Sequence, residues 1–358
     1  MFLYQIRNKI RKAIIEDFLY YWHFFKSQLI KSKNKIVFID VRNITLNRYL
    51  YNFIKFFQLN GYTVYLPKDK KMIGILSKKK GEFLFGSWIL QEEVKFGKPK
   101  FSDLVITRTQ LSNDYFGIPK GLNEFHVPMS EYPAFYFYQF KTPILDLNKR
   151  RKNSVFMSGN IDATYYNNIS KSQFFNVISR REVADFIMKQ PYYLGIETLD
   201  DMNNFINAEN DSKVLLINTK EKFRISFRDL KTTLIQFNFY LALPGILIPQ
   251  SHNLIEAMSV GCIPVIHKNY AGLFIPALKT METAIVYSSL EELDSKILEL
   301  FKLDDQIVKL LQQNVYQYYQ NYLSPNSIVN RIKENDFTKI YIQAEQKSLE
   351  FLYTKRTN

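Results

Sequence analysis

Residues 239–267, FYLALPGILIPQSHNLIEAMSVGCIPVIH, hold the side chains best placed for chemistry. An apolar run from Phe239 to Leu243 meets a Pro244-Gly245 break, and a helical segment with a single carboxylate, Glu256, follows. Gly261 ends that helix, and a second strand-like run begins at Cys262 and ends at His267. Strand, loop, helix and strand in this order make a βαβ unit, which builds parallel sheets and binds ligands at the strand ends. Gly245 would let backbone approach a phosphate, and the helix start near Ser251 and Asn253 would offer unpaired N–H donors to an anion. His252 would touch the same ligand, and Glu256 would accept hydrogen bonds from sugar or ribose hydroxyls.

The elements that must hold these residues extend over the whole chain. The first half reads as strand 36–41, helix 45–60 and strand 62–66, with further strands at 83–85 and 103–107. FHVPMSEYP, residues 125–133, is turn-rich and reads as a cleft-lining loop. KRRKN at 149–153 marks a linker, and VFMSGN at 155–160 opens a second unit as a strand running into a turn. A helix carrying Arg180 and Arg181, strand 213–217, strand 283–288 and helices across 290–322 complete it. The Ser324-Pro325 step breaks those helices, and a last helix would cross back toward the first domain. The expected domains are therefore an N-terminal helix (1–32), a first α/β domain (33–150), a second (151–330) and a terminal helix (331–358).

The motif stretch resembles the donor-binding half of exostosin-like glycosyltransferases. It does so through Pro244-Gly245, Ser251, Glu256-Ala257 and Gly261-Cys262-Ile263-Pro264-Val265-Ile266. The resemblance covers about thirty residues closely and extends only loosely over 153–335. It departs at Asn253, where the family usually has arginine. The resemblance implies the GT-B architecture: α/β, two facing Rossmann-like domains with parallel sheets and an interdomain cleft. It implies transfer of a sugar from a nucleoside-diphosphate sugar, a UDP-sugar favoured, to a saccharide or lipid-linked acceptor in surface polysaccharide or glycan biosynthesis.

In such an enzyme Gly159 and Asn160 would approach the leaving group by backbone. Arg180 and Lys231 would be the cations on the phosphates, so neither a metal nor another cofactor is expected. No Asp-x-Asp metal motif is present, and four histidines in this spacing give no metal site. Asp40, His126 and Glu131 are the candidates for a general base; Asp40 could equally cap the helix that follows its strand. Cys262, the single cysteine, reads as a core residue and excludes an intrachain disulfide, which suits a reducing cytosol.

The net charge of +14 is unevenly placed. Residues 1–152 contain 27 Lys and Arg against 12 Asp and Glu, whereas 153–358 are close to neutral. Within that basic half, Leu3, Ile6, Ile10, Ile14, Phe18, Tyr21, Phe25 and Leu29 recur at helical spacing, with Arg7, Lys9, Arg11 and Lys12 off that line. The segment suits an in-plane helix on an anionic membrane or a helix packed on the first domain, and Lys68–Lys80 adds a basic loop. A cytoplasmic protein, peripheral on the inner membrane face, is the expected setting. Nucleic-acid binding through the basic half is the competing class, but no base-stacking or groove-reading motif is present, so no nucleic-acid partner is expected. A sugar epimerase or similar nucleotide enzyme would want a G-x-G-x-x-G turn after the first strand, where the chain instead has VRNITLN.

Overall fold

A computed structural model describes residues 2–77, 84–116, 123–162, 164, 169, 174–209 and 211–356, with 2–13 and 355–356 as backbone alone. The chain forms two compact units. One comprises residues 1–127 with 325–358, and the other residues 128–324. The expected division lay at 150–151 and 330–331.

The first unit opens with helix α1 (Phe2–Gln28), followed by β1 (Lys35–Ile39), α2 (Arg48–Leu59), β2 (Tyr62–Leu66), α3 (Lys70–Leu76), α4 (Leu84–Gln91), β3 (Val94–Phe96) and β4 (Leu104–Ile106). Its main sheet has the order β3-β2-β1-β4, parallel throughout. Helix α2 begins where the Asn47 side chain accepts from the N–H groups of Tyr49 and Leu50. It buries Leu50, Phe53, Ile54 and Phe57, which repeat at three- and four-residue steps. Segment 83–85 was expected to be a strand; from residue 84 on it begins helix α4, while residue 83 lies outside the described residues. The LFGSWILQ run is mostly apolar, and the helix buries Gly86, Ser87, Ile89 and Leu90 at helical rather than alternating spacing. Residues 70–76 of the expected basic loop are helical, and 78–80 lie outside the described residues.

A second, small parallel sheet in the same unit joins distant parts of the chain. Strand β5 (Leu111–Ser112) and β6 (Glu124–His126) flank a strand from the C-terminal segment, Lys339–Tyr341.

In the second unit α5 (Pro133–Phe137) precedes β7 (Lys152–Gly159), α6 (Arg180–Ile187), β8 (Tyr193–Leu194), α7 (Leu199–Asn207), β9 (Val214–Asn218), α8 (Phe227–Leu234) and β10 (Phe237–Ala242). Then come α9 (His252–Met258), β11 (Ile263–His267), α10 (Lys268–Ala271), β12 (Ile285–Tyr287), α11 (Leu290–Leu300) and α12 (Asp305–Tyr318), which widens into a π-turn at Tyr319–Leu323. The last three elements, α13 (Pro325–Glu334), β13 (Lys339–Tyr341) and α14 (Gln346–Arg356), belong to the first unit.

The six-stranded sheet of the second unit has the order β12-β11-β10-β7-β9-β8 and is parallel throughout. Every residue of β9, β10 and β11 is buried, as expected when helices cover both faces of a parallel sheet. Cys262 is wholly buried beside β11, where its thiol points at the Leu234 and Phe237 carbonyls. Burial pushes that thiol up to about 11, so it is a core group with little thiolate. The molecule is a mixed α/β protein of two units, each built on parallel sheets.

Candidate functional site

The six-stranded sheet has a topological switch. From β7 the chain crosses to the edge strand β8, comes back to β9 beside β7, and then starts β10 on the other side of β7. Parallel sheets bind ligands at the carboxyl ends of the strands that flank such a point, because the loops diverge there. The flanking ends are Gly159 of β7 and Ala242 of β10.

Arg180 ties the two loops together. A capping box at Ser179 and Glu182 starts α6 and fixes Arg180 as its first residue. From there the buried guanidinium donates through Nε to the Pro244 carbonyl at 3.0 Å and through Nη1 to the Asn160 carbonyl at 2.9 Å. Arg180 therefore holds the β7 and β10 loops at one spacing and leaves its positive charge behind them. Asn253 adds a third tie, donating from Nδ2 to the Ser158 carbonyl at 3.0 Å. Gly159 is closely approached by these two side chains and by Met157 Cε, which a Cβ would meet at 3.0 Å. A Cβ there would stand 3.1 Å from Arg180 Nη1 and 3.4 Å from Asn253 Nδ2.

Gly245 has a different reason from the one its sequence suggests. A Cβ at Gly245 would meet the Ile248 carbonyl at 2.6 Å, and the Gly245 N–H donates to the Pro249 carbonyl at 3.1 Å. The glycine lets the loop fold on itself; the close approach is to its own backbone. Ser251 caps α9 without a side-chain bond, and its N–H donates to the Tyr270 hydroxyl at 2.8 Å. One donor expected for an anion is thus engaged within the protein.

The start of α9 brings an imidazole and a carboxylate together. His252 and Glu256 stand four residues apart on one helix face, with Nδ1 and Oε1 at 2.9 Å. The same Oε1 accepts from the Tyr132 N–H at 3.0 Å. Since a carboxylate oxygen accepts, Nδ1 carries the proton and Nε2 is the acceptor of the ring. Glu256 is 0% exposed, and the His252 side chain is 27% exposed. Oε2 of Glu256 is buried with no hydrogen-bond partner. A sealed carboxylate of this kind cannot meet a ribose hydroxyl directly. It orients the imidazole that can meet a ligand. The Tyr132 ring stacks on Phe227 at 4.9 Å and lies 5.0 Å from the imidazole, which narrows the ring's freedom further.

Two other expected site residues bind each other. Lys231 Nζ donates to Glu131 Oε1 at 2.8 Å and to Thr142 Oγ1 at 2.7 Å, and it sits over the Phe135 ring. Tyr319, presented at the start of the π-turn, donates its hydroxyl to the same Glu131 oxygen at 3.0 Å. Both charged side chains are 3% exposed. In this arrangement Lys231 balances a carboxylate and does not face a phosphate, and Glu131 has no opening toward an acceptor proton. The physical reason is charge burial: each ion would be costly alone and so requires the other.

Asp40 and His126 belong to the first unit. Asp40 ends β1 at the switch point of the four-stranded sheet, where Arg42 binds both of its carboxylate oxygens, one through Nε at 2.8 Å. That hydrogen bond holds the Asp40 carboxyl below its ordinary pKa, which disfavours a proton acceptor. His126 is a core residue of the small sheet, its ring 4.5 Å from Tyr341 and 5.3 Å from Tyr115. Among the described residues no group of three or more His, Cys, Asp or Glu is placed to hold a metal ion.

The sequence did not single out Tyr132, Tyr270, Tyr319, Thr142 or Phe227. Tyr132 at least falls in the turn-rich loop that was expected to line a site. The others act on partners far away in the chain and carry no local pattern.

No protein family model and no curated protein matches the sequence. Among solved structures the chain is similar to TarM, with 13% identity, 86% of this chain covered and a TM-score of 0.34, although it spans only 56% of the TarM chain. It is also similar to a glycosyltransferase from Rickettsia africae ESF-5, at 11% identity over 91% of this chain and 100% of that one, with a TM-score of 0.36. A third similarity is to the N-terminal domain of Candida albicans trehalose-6-phosphate phosphatase, at 9% identity, covering 84% of this chain and 70% of that chain, with a TM-score of 0.32.

Proposed function

We propose that the second unit binds a nucleoside-diphosphate sugar at the β7/β10 switch point and that the protein transfers the sugar to a saccharide or lipid-linked acceptor. The observation that carries this reading is the joining of both strand-end loops by Arg180, with a His252–Glu256 pair at the adjacent helix start. The motif resemblance at Pro244-Gly245, Glu256-Ala257 and Gly261–Ile266 points the same way.

As the glycosidic bond to the diphosphate breaks, negative charge grows on the leaving oxygens and positive charge on the sugar ring. Preorganised donors and cations at the diphosphate lower that barrier without a metal. The backbone at Gly159 and Asn160 would supply donors, and the fixed Arg180 charge would supply the field. His252 would present Nε2 to the donor, held in its tautomer by Glu256. Glu256 is on this reading a positioning residue. A UDP-sugar is the favoured donor, and a cytoplasmic site of surface-glycan synthesis is the favoured setting.

A thermal-shift panel of UDP, GDP, CMP and their sugars, with and without EDTA, tests the proposal. A ligand that binds the native state raises Tm by mass action. Stabilisation by one nucleoside-diphosphate family, unchanged by EDTA and lost in Arg180→Met, is the expected result. No shift with any of them would overturn the donor site, and a shift abolished by EDTA would overturn its metal independence.

A further inference from the structure

We infer that the outer face of α1 is a docking surface for an anionic lipid bilayer, on which the helix lies in the plane of the headgroups. The inference concerns the first unit alone and does not rest on the glycosyl-transfer reading.

Over its described side chains, residues 14–28, helix α1 has one face engaged and one face exposed. On the engaged side Asp17 pairs with Lys70, Gln28 Nε2 donates to the Phe96 carbonyl at 3.2 Å, and Ser27 Oγ accepts from the Phe96 N–H at 3.3 Å. Lys68 Nζ stands 4.0 Å from the Phe24 ring centroid. These bonds seat the helix on α3 and β3. The opposite side presents Ile14, Phe18, Tyr21, Trp22 and Phe25, with Leu29 just beyond the helix end. At 3.6 residues per turn these positions share one stripe. Phe18 is 66% exposed, Trp22 58% and Phe25 63%. A continuous run of large exposed aromatics is unusual for a surface that meets only water.

Charge decides between the possible occupants. Residues 1–35 carry eight Lys and Arg against two Asp and Glu, and the two acids, Glu16 and Asp17, lie off the stripe. Lys26, in the last turn of the helix, and Lys31 and Lys33, just beyond its end, are exposed, as are Lys35 and Lys68. A second copy of the chain would bring two such basic surfaces together and pay in repulsion. A bilayer with anionic headgroups offers apolar depth to the stripe and counter-charge to its border. Tyr and Trp in the stripe suit the headgroup level, where one end of the ring stays wet. No helix among the described residues is long and apolar enough to cross a membrane, so the contact proposed is in-plane.

The test is sedimentation of the full chain with vesicles of phosphatidylcholine alone or mixed with phosphatidylglycerol. It is paired with Trp22 emission in a Trp88→Phe background, since these are the two tryptophans. Expected are binding to the anionic vesicles, a blue shift of Trp22, and weakening at high salt. The triple variant Phe18→Ser, Trp22→Ser, Phe25→Ser should lose roughly a hundredfold in partitioning. Because all three side chains are exposed, it should keep the wild-type melting transition. Should it unfold, Lys26→Gln, Lys31→Gln, Lys33→Gln serves instead and should lose about tenfold or more, on anionic vesicles only. Failure to bind anionic vesicles, or binding that ignores both variants, would overturn the inference. So would a concentration-dependent dimer that the triple variant abolishes while vesicles are ignored, which would assign the stripe to a second copy.

Discussion

The second unit contains two buried carboxylates with contrasting surroundings. Glu131 is enclosed by Lys231, Thr142, Tyr319 and the Phe135 ring, and both members of its ion pair are sealed from water. Glu256 is just as deep, yet its basic partner His252 reaches the surface and one of its oxygens has no bond at all. The first arrangement satisfies its charges and so holds structure together. The second leaves a buried polar atom unsatisfied next to an accessible imidazole, a cost that a folding role alone does not explain. Satisfaction of the charge, rather than depth, separates the architectural group from the one proposed to act on a ligand.

The largest effect should come from breaking the sealed pair. Lys231→Met leaves Glu131 buried and uncompensated and should cost about 3–5 kcal/mol in denaturant unfolding. Adding Glu131→Leu removes the orphaned charge, so the double variant should recover most of that loss. If the double variant is as unstable as the single, the pair is not the closed unit described above.

Glu256→Gln should separate the two carboxylates by activity. Gln keeps the volume and can still accept from the Tyr132 N–H, so unfolding should change by about 1 kcal/mol or less. Its amide cannot hold the imidazole as a carboxylate does, and sugar transfer should fall by roughly 10²-fold or more. His252→Gln should fall by a similar factor, and the two together little further, since they act as a unit. Full turnover in either would sink the acid–base assignment. Alanine at Glu256 is the poorer test, because it opens a cavity and strands the Tyr132 donor.

How far the sequence reached differs between these regions for a physical reason. Five of the six strands of the larger sheet and the helix between β10 and β11 are visible as apolar runs with breaks, because burial on both faces writes itself into consecutive residues; β8, two half-buried residues, left no such run. Periodicity likewise reveals α1. The Lys231–Glu131 pair spans a hundred positions, with Tyr319 further off still, and no local pattern announces it. Gly245 shows the converse problem. Its identity signals that backbone comes close, but only the fold shows that the backbone is Ile248 of its own loop. Segment 83–85 was misjudged because short apolar runs fit a strand or a helix equally well.

Gly159→Ala sharpens the comparison at the loop that separates Arg180 from solvent. The added methyl would press Arg180 Nη1 at 3.1 Å and Met157 Cε at 3.0 Å. Met157 can move, whereas the arginine is fixed by two carbonyls, so about 1–3 kcal/mol of stability should be lost. The donor-dependent rise in Tm should fall with it, because the loop spacing is what Arg180 sets. A stable variant with an undiminished ligand shift would show that the loops need not be tied.

The smallest effect concerns the sealed histidine at the end of β11. His267 is buried, and its Nδ1 accepts from the Asn269 N–H at 3.2 Å, a role that a protonated ring cannot fill. Burial lowers its pKa from the ordinary histidine value, with nearby Lys268 adding to the shift. The sign follows from where the proton goes. Below the ordinary value of about 6.5 the unfolded chain takes up a proton that the folded chain resists, so stability present above that pH is lost on acidification. Tm should therefore fall as pH drops from 7 toward 5, and His267→Asn, which keeps an acceptor without the titration, should flatten that decline. A decline as steep in His267→Asn as in the wild type would show that the sealed imidazole is not the group that titrates, and its burial would then carry no acid sensitivity.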